Sequence, residues 1–86
     1  RYDPEVERAV RARPAVRRAL ELEAVGDSLN ARREWHHLVA GLSRDEQIHA
    51  AYVAQQAGAI PESIQIANAA MLRDHVDLRF PVAYPD

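Results

Sequence analysis

Apolar residues recur at helical spacing over most of the chain, and the alternation typical of β-strands is absent. The clearest stripe has apolar residues at i, i+4, i+7, i+8 and i+11: Ala31, Trp35, Leu38, Val39 and Leu42. A second stripe at similar spacing consists of Ile64, Ala67, Met71 and Leu78. Because residues at this spacing share one side of a helix, each stripe predicts an amphipathic helix that buries that side.

Helix start and stop signals divide the chain into five segments. The start signals are capping residues and first-turn prolines: Asp3-Pro4, Pro14, Ser28, the capping box of Ser43 and Glu46, and Pro61. The stop signals are Gly26, Gly41, Gly58 and Pro81. The predicted helices cover residues 4–12, 14–25, 28–40, 44–57 and 61–79. Because short loops make neighbouring helices antiparallel, we predict an all-α domain of about five helices packed largely antiparallel, with an extended C-terminal strap.

Composition excludes several classes of function. The 86 residues are enough for one small domain, and the net charge of −2 gives no basic field of the kind that duplex binding requires. All eleven basic residues are arginines, and they scatter from Arg1 to Arg79. Cysteine is absent, and no apolar run approaches the roughly 20 residues of a membrane span. We therefore expect no nucleic-acid partner, no disulfide framework and no membrane span.

Two Glu-x-x-His pairs, Glu34 with His37 and Glu46 with His49, are of the type that binds metal in helical bundles. There, such pairs from two helices combine with a Glu from each of two others to hold a di-metal centre. At about 100° per residue, His37 lies roughly 160° from the centre of the first stripe and faces solvent, while Glu34 sits on its flank. We therefore interpret both pairs as solvated or flanking residues and expect no metal or other cofactor. A small helical di-metal protein remains an alternative.

Glu62 could be a catalytic acid placed on a helix. It follows Pro61 in the first turn of the fifth helix, where a carboxylate complements the helix dipole. No second carboxylate or nucleophile is marked out near it by spacing. We interpret Glu62 as a structural capping residue.

Polar residues on apolar helix faces are expected to have structural roles. His75 falls in the middle of the second stripe, so we expect it to be buried with a hydrogen-bond partner or to lie at an interface. Glu23 lies within the apolar arc of the second helix and is a candidate partner for a buried polar group or an arginine. Trp35 is the expected core anchor, with Glu34 as a structural neighbour. None of these residues specifies a reaction.

A repeat architecture is the main alternative fold. The stretch from Ala50 to Met71, with small residues on two helices joined at Gly58, resembles a tetratricopeptide-type hairpin. The usual period of about 34 residues has no second copy in the chain. An α-solenoid module that binds a protein partner therefore remains open.

The chain ends on an apolar segment that contains two prolines, residues 80–86. An extended backbone sends alternate side chains to one side, and here those side chains are Phe80, Val82 and Tyr84. We expect these three to contact a common surface, either the fifth helix or a neighbouring domain. The chain also starts with arginine and shows no signal peptide, so we expect residues 1–86 to be one domain of a larger protein.

Two blocks of the sequence resemble one enzyme family. Residues 74–75 and 79–86 read DH and RFPVAYPD, which resembles the D-H…R-F-P-x-A-Y-x-D segment of soluble lytic murein transglycosylases. In that family this segment closes the linker (L) domain and leads into a lysozyme-like catalytic domain. Residues 31–35, ARREW, resemble the family's A-R-x-E-W in the same domain.

The resemblance implies a non-catalytic, all-α linker module between a superhelical domain and a catalytic domain, with residues 80–86 as the connector to the latter. Enzymes of this family cleave the MurNAc–GlcNAc bond of bacterial peptidoglycan in the periplasm and leave 1,6-anhydromuramyl products. Their catalytic Glu stands in a Glu-Ser motif with a Gly-Leu-Met-Gln segment downstream. Glu62-Ser63 lacks that segment, so the resemblance implies no catalytic residue in this chain.

Overall fold

The computed structural model describes residues 2–79, with side chains for residues 2–71. The described chain is folded into five helices: α1 (Pro4–Ala12), α2 (Pro14–Ala24), α3 (Ser28–Val39), α4 (Arg44–Gln56) and α5 (Ile60–Arg79). No strand occurs within residues 2–79. The predicted all-α class and the number of helices are confirmed, and the predicted helix bounds agree to within a residue.

The central helix of the domain is α4. It packs along α5 and against α1, while α2 pairs with α3 and also touches α1. Its buried apolar side chains are small or β-branched: Ala50, Ala51, Val53 and Ala54. Because short side chains let helix backbones approach closely, α4 can accept a neighbour on more than one side. Buried residues of the other four helices complete the core: Val10, Val16, Ala19, Ala31, Trp35, Leu38 and Ile66.

The helix starts follow the capping pattern of the sequence. The Asp3 carboxylate accepts the Glu5 backbone N–H at 2.9 Å. Ser43 and Glu46 form a reciprocal capping box, in which each side chain accepts the backbone N–H of the other residue. The expected Ser28 cap is wrong by one residue. Asp27 is the N-cap of α3, because its carboxylate accepts the Asn30 backbone N–H, and Ser28 is the first helical residue.

Two helix ends require glycine. Gly26 and Gly58 have φ angles of 82° and 88°, a left-handed conformation that glycine adopts without steric cost. After α4, the Gly58 N–H donates to the Gln55 carbonyl and the Ala59 N–H donates to the Ala54 carbonyl. These two hydrogen bonds form a Schellman motif, and α5 begins immediately after it.

The buried face of α5 differs from the predicted stripe. Ile64 and Met71 are 56% and 69% exposed, whereas Ser63, Ile66 and Ala70 are buried. The physical reason is the partner helix. The alanine-rich side of α4 accepts a close approach, and the Ser63 hydroxyl donates to the Ala51 carbonyl at 2.8 Å across that contact. Small residues, not the largest apolar ones, therefore line this helix pair.

Candidate functional site

A groove of about 800 Å³ lies where α3 and α5 separate above α4. The two outer helices meet over only a short stretch, so the groove stays open between them. It has an apolar floor with polar residues among its walls, and the lining comprises Arg32, Arg33, Trp35, His36, Val39, Ala40, Gln47, Glu62, Gln65, Ile66 and Ala69. This groove is larger than the cavity of about 450 Å³ beside Tyr2 and Tyr52.

The charged pair of the groove joins α3 to α5. The Arg32 Nε donates to the Glu62 carboxylate at 3.1 Å. Glu62 is 8% exposed and lies in the first turn of α5, whereas the Arg32 side chain is mostly in solvent. Glu62 is the one carboxylate among the described lining residues. The groove therefore holds a carboxylate that a guanidinium already satisfies, without a second acid beside it.

Gln47 gives the groove an unsatisfied polar atom that a ligand does not reach. Its Nε2 donates to the Val39 carbonyl at 3.1 Å, and its Oε1 has no hydrogen-bond partner. That oxygen exposes less than 1 Å² to solvent. A donor group could contact it only after side chains moved, so the orphaned oxygen does not identify a ligand for the groove.

The indole of Trp35 closes the groove from below. Trp35 is 1% exposed, and its Nε1 donates to the Glu23 carboxylate of α2 at 3.2 Å. Glu23 is half-buried. Because Trp35 is buried, its indole N–H needs a partner inside the protein, and this hydrogen bond supplies it.

The two Glu-x-x-His pairs have other partners. Glu34 is half-buried and accepts Arg18 Nη1 at 2.9 Å, while His37 is exposed. Glu46 accepts the Ser43 backbone N–H, so its carboxylate belongs to a cap. Within the described residues, no group of three or more His, Cys, Asp or Glu side chains could hold a metal ion.

The interpretation of His49 as solvated or flanking is wrong. His49 is 1% exposed and packs under Tyr2, with ring centroids 5.7 Å apart. Its Nδ1 lies 2.8 Å from the Asp45 carbonyl, and its Nε2 accepts the Asp3 backbone N–H at 2.8 Å. The sequence does carry the signal, because His49 falls four residues before Val53 on the buried side of α4.

Four of the expected site residues lie wholly or partly outside the described part of the chain. Phe80, Val82 and Tyr84, together with the rest of the 80–86 segment, lie outside the described residues. The side chain of His75 lies outside them as well, although its backbone belongs to α5. Among the described helices, none is long and apolar enough to cross a membrane.

A family comparison identifies the domain type. A family model described as the soluble lytic murein transglycosylase L domain matches residues 9–76. The chain belongs to this family. The matched range runs from the second half of α1 into α5 and so includes both walls and the floor of the groove. No curated protein and no solved structure shows significant similarity to the chain.

In this L domain, Glu62→Gln is expected to lower the free energy of unfolding by less than about 1 kcal/mol. The pair with Arg32 has one solvent-exposed partner, and such ion pairs contribute little. Glutamine keeps an oxygen that can accept from the same guanidinium. The measurement is urea unfolding of wild type, Glu62→Gln, Arg32→Ala and the double variant. A coupling energy above about 2 kcal/mol would contradict this reading and make the pair a principal tie between α3 and α5.

Proposed function

We propose that the chain is the non-catalytic linker module of a bacterial lytic transglycosylase that cleaves the MurNAc–GlcNAc bond of peptidoglycan and forms 1,6-anhydromuramyl products. The observation that carries the proposal is the family match over residues 9–76. In this role the domain holds a superhelical domain and a catalytic domain in position and supplies no reacting group. The periplasm, where peptidoglycan is accessible, is the proposed location.

The chemistry of the groove supports a non-catalytic role. A carboxyl group that acts as a general acid must lie within hydrogen-bond reach of the bond that it cleaves. Glu62 is bound by Arg32, and no second carboxylate lies among the described groove residues. Ser63, its neighbour in the Glu-Ser pair, is turned into the core and donates to the Ala51 carbonyl. Neither residue is available to a glycan strand.

The outward side of α5 supports contact with another domain. Ile60, Ile64 and Met71 are large apolar residues that the described domain leaves exposed, and we call them the outer face of α5. Residues 60, 64 and 71 lie on the same side of the helix, so the outer face of α5 is one continuous apolar surface. We propose that a neighbouring domain covers the outer face of α5. Phe80, Val82 and Tyr84 of the connector, residues 80–86, would contact the same domain.

The catalytic part of the proposal is tested with purified peptidoglycan. The 86-residue chain alone should release no anhydromuropeptides, while the full-length enzyme that contains it should release them under the same conditions. The full-length enzyme carrying Glu62→Gln should keep its wild-type rate, because the carboxylate is structural. Product release by the chain alone, or loss of activity in a correctly folded Glu62→Gln enzyme, would refute the proposal.

The positioning part is tested by limited proteolysis of the full-length enzyme. Ile64→Ser and Tyr84→Ala should each accelerate cleavage at the junction after residue 86, since both remove apolar contact with a neighbouring domain. Ala9→Ser, at an exposed position on α1, is the control and should leave the cleavage pattern unchanged. Unchanged junction cleavage in both test variants would show that neither the outer face of α5 nor residues 80–86 packs against a neighbouring domain.

A further inference from the structure

His49 joins the beginning of the chain to the central helix. Its Nε2 accepts the backbone N–H of Asp3 at 2.8 Å, a contact between residues 46 positions apart. Asp3 is also the N-cap of α1, since its carboxylate accepts the Glu5 N–H. The hydrogen bond therefore attaches the start of α1 to α4.

The two partners of the imidazole fix its protonation state. The Asp45 carbonyl, 2.8 Å from Nδ1, can only accept, so Nδ1 carries the hydrogen. The Asp3 amide can only donate, so Nε2 must present a lone pair. Both conditions are met by one species, the neutral imidazole protonated at Nδ1. A doubly protonated ring would point a second N–H at the Asp3 N–H.

We propose that His49 is a pH-sensitive latch that holds residues 2–3 and the start of α1 against α4 when neutral and releases them when protonated. Because the ring is 99% buried, the charged form has no water to solvate it unless the segment lifts. A cavity of about 450 Å³ between Tyr2, Ile48 and Tyr52 borders the ring and gives the departing segment an open side.

The titratable groups around the ring determine how sharply the latch responds. Tyr2 lies over His49 and forms an edge contact with Tyr52, at 5.4 Å between ring centroids. Glu7 of α1 is the nearby carboxylate whose charge would favour a protonated ring. The hydroxyl of Tyr2 and then the guanidinium of Arg11 hold the pKa of Glu7 below its ordinary value, so the carboxylate stays ionised and already has partners.

The other charged groups near His49 interact with partners other than the imidazole ring. From α4, Asp45 presents its backbone carbonyl to the ring, and Asp3 directs its carboxylate to the start of α1. From α5, Glu62 is paired with Arg32 of α3. Glu7 is thus the principal opposing charge, and it sits on the element that the latch releases. Lifting the segment carries that carboxylate away from the ring.

The test follows the Asp3 amide of the isotopically labelled chain by NMR from pH 8 to pH 5. In the wild type, the exchange protection of the Asp3 amide should fall at least tenfold between pH 7.5 and pH 5.5. Proton contacts between the rings of Tyr2 and His49 should disappear over the same range. The Val53 amide, in the interior of α4, should stay protected and show that the domain remains folded.

The decisive variant is His49→Gln, whose side-chain oxygen can accept from the Asp3 amide but takes up no proton in this range. Its Asp3 protection should be independent of pH. His36→Gln, at an exposed position on α3, is the matched control and should keep the wild-type response. A wild-type protection that does not change with pH, or the same pH response in His49→Gln, would overturn the proposal.

A measurement on the wild type alone tests the proposal if the His49→Gln variant does not fold. The ring resonances of His49 in the wild type should titrate with the same midpoint as the loss of Asp3 protection. Different midpoints would show that the two events are not linked and would overturn the proposal. The latch is independent of the proposed linker function, because neither outcome depends on peptidoglycan or on another domain.

Discussion

Replacing Trp35 with alanine should lower the free energy of unfolding by about 3–5 kcal/mol, the range seen for large-to-small changes in cores. The indole, carried by α3, is 1% exposed, donates to Glu23 of α2 and closes the groove from below. The loss combines removed apolar contact with a cavity that the surrounding helices cannot fill. Small domains have a total stability of only about 5–15 kcal/mol, so the variant should be partly unfolded at 37 °C.

The measurement is urea unfolding followed by circular dichroism, with two comparison variants. Trp35→Phe keeps most of the volume but removes the N–H that donates to Glu23, so its loss should be smaller than that of Trp35→Ala. Leu29→Ala, at an exposed position on the same helix, should change stability by less than about 1 kcal/mol. A loss below about 1 kcal/mol for Trp35→Ala would place the indole at the surface.

The order of the helices could be predicted from the sequence because the signals that set it are local. The capping box of Ser43 with Glu46, and the glycines at 26 and 58, act within a few residues, and the structure uses them as expected. The Ser28 cap was wrong because Asp27, one residue earlier, competes for the same backbone N–H groups. A prediction from local signals of this kind therefore misplaced the N-cap of α3 by one residue.

Helix faces could not be predicted with the same success, because they depend on the partner helix. Spacing alone favours the largest apolar residues of α5, Ile64 and Met71, as the buried side. The structure buries Ile66 instead, since the alanine-rich side of α4 accepts a closely packed neighbour. Ile64 and Met71 are then left exposed on the described domain.

Polar partners inside the core were also outside the reach of sequence reasoning. The position of Glu23 in an apolar arc indicates that it needs a partner, but only the packing of α2 against α3 brings its carboxylate to the Trp35 N–H. The spacing of His49 and Val53 indicates that His49 is buried, but its partner, the Asp3 amide, is a backbone group with no sequence signature. The groove between α3 and α5 likewise arises from the angle at which two helices separate.

The buried face of α5 can be tested by placing the same charge on two neighbouring residues. Ala70→Asp should lower the free energy of unfolding by about 3–5 kcal/mol, because it introduces an uncompensated charge at a position that is 1% exposed. Ala69→Asp, one residue earlier and exposed, should lower it by less than about 1 kcal/mol. Both variants exchange alanine for aspartate in the middle of one helix, so the loss of helix propensity is common to the two.

The difference between the two variants isolates burial from every other effect of the substitution. Thermal and urea unfolding of wild type, Ala69→Asp and Ala70→Asp give the comparison directly. If the side of Ile64 and Met71 were buried instead, Ala69 and Ala70 would both lie about 100° or more from it, and both substitutions would be tolerated. Equally small losses at the two positions would therefore contradict the packing of α5 described above. The expected asymmetry would leave Ile64 and Met71 on the outside of the domain, where the proposed interdomain contact requires them.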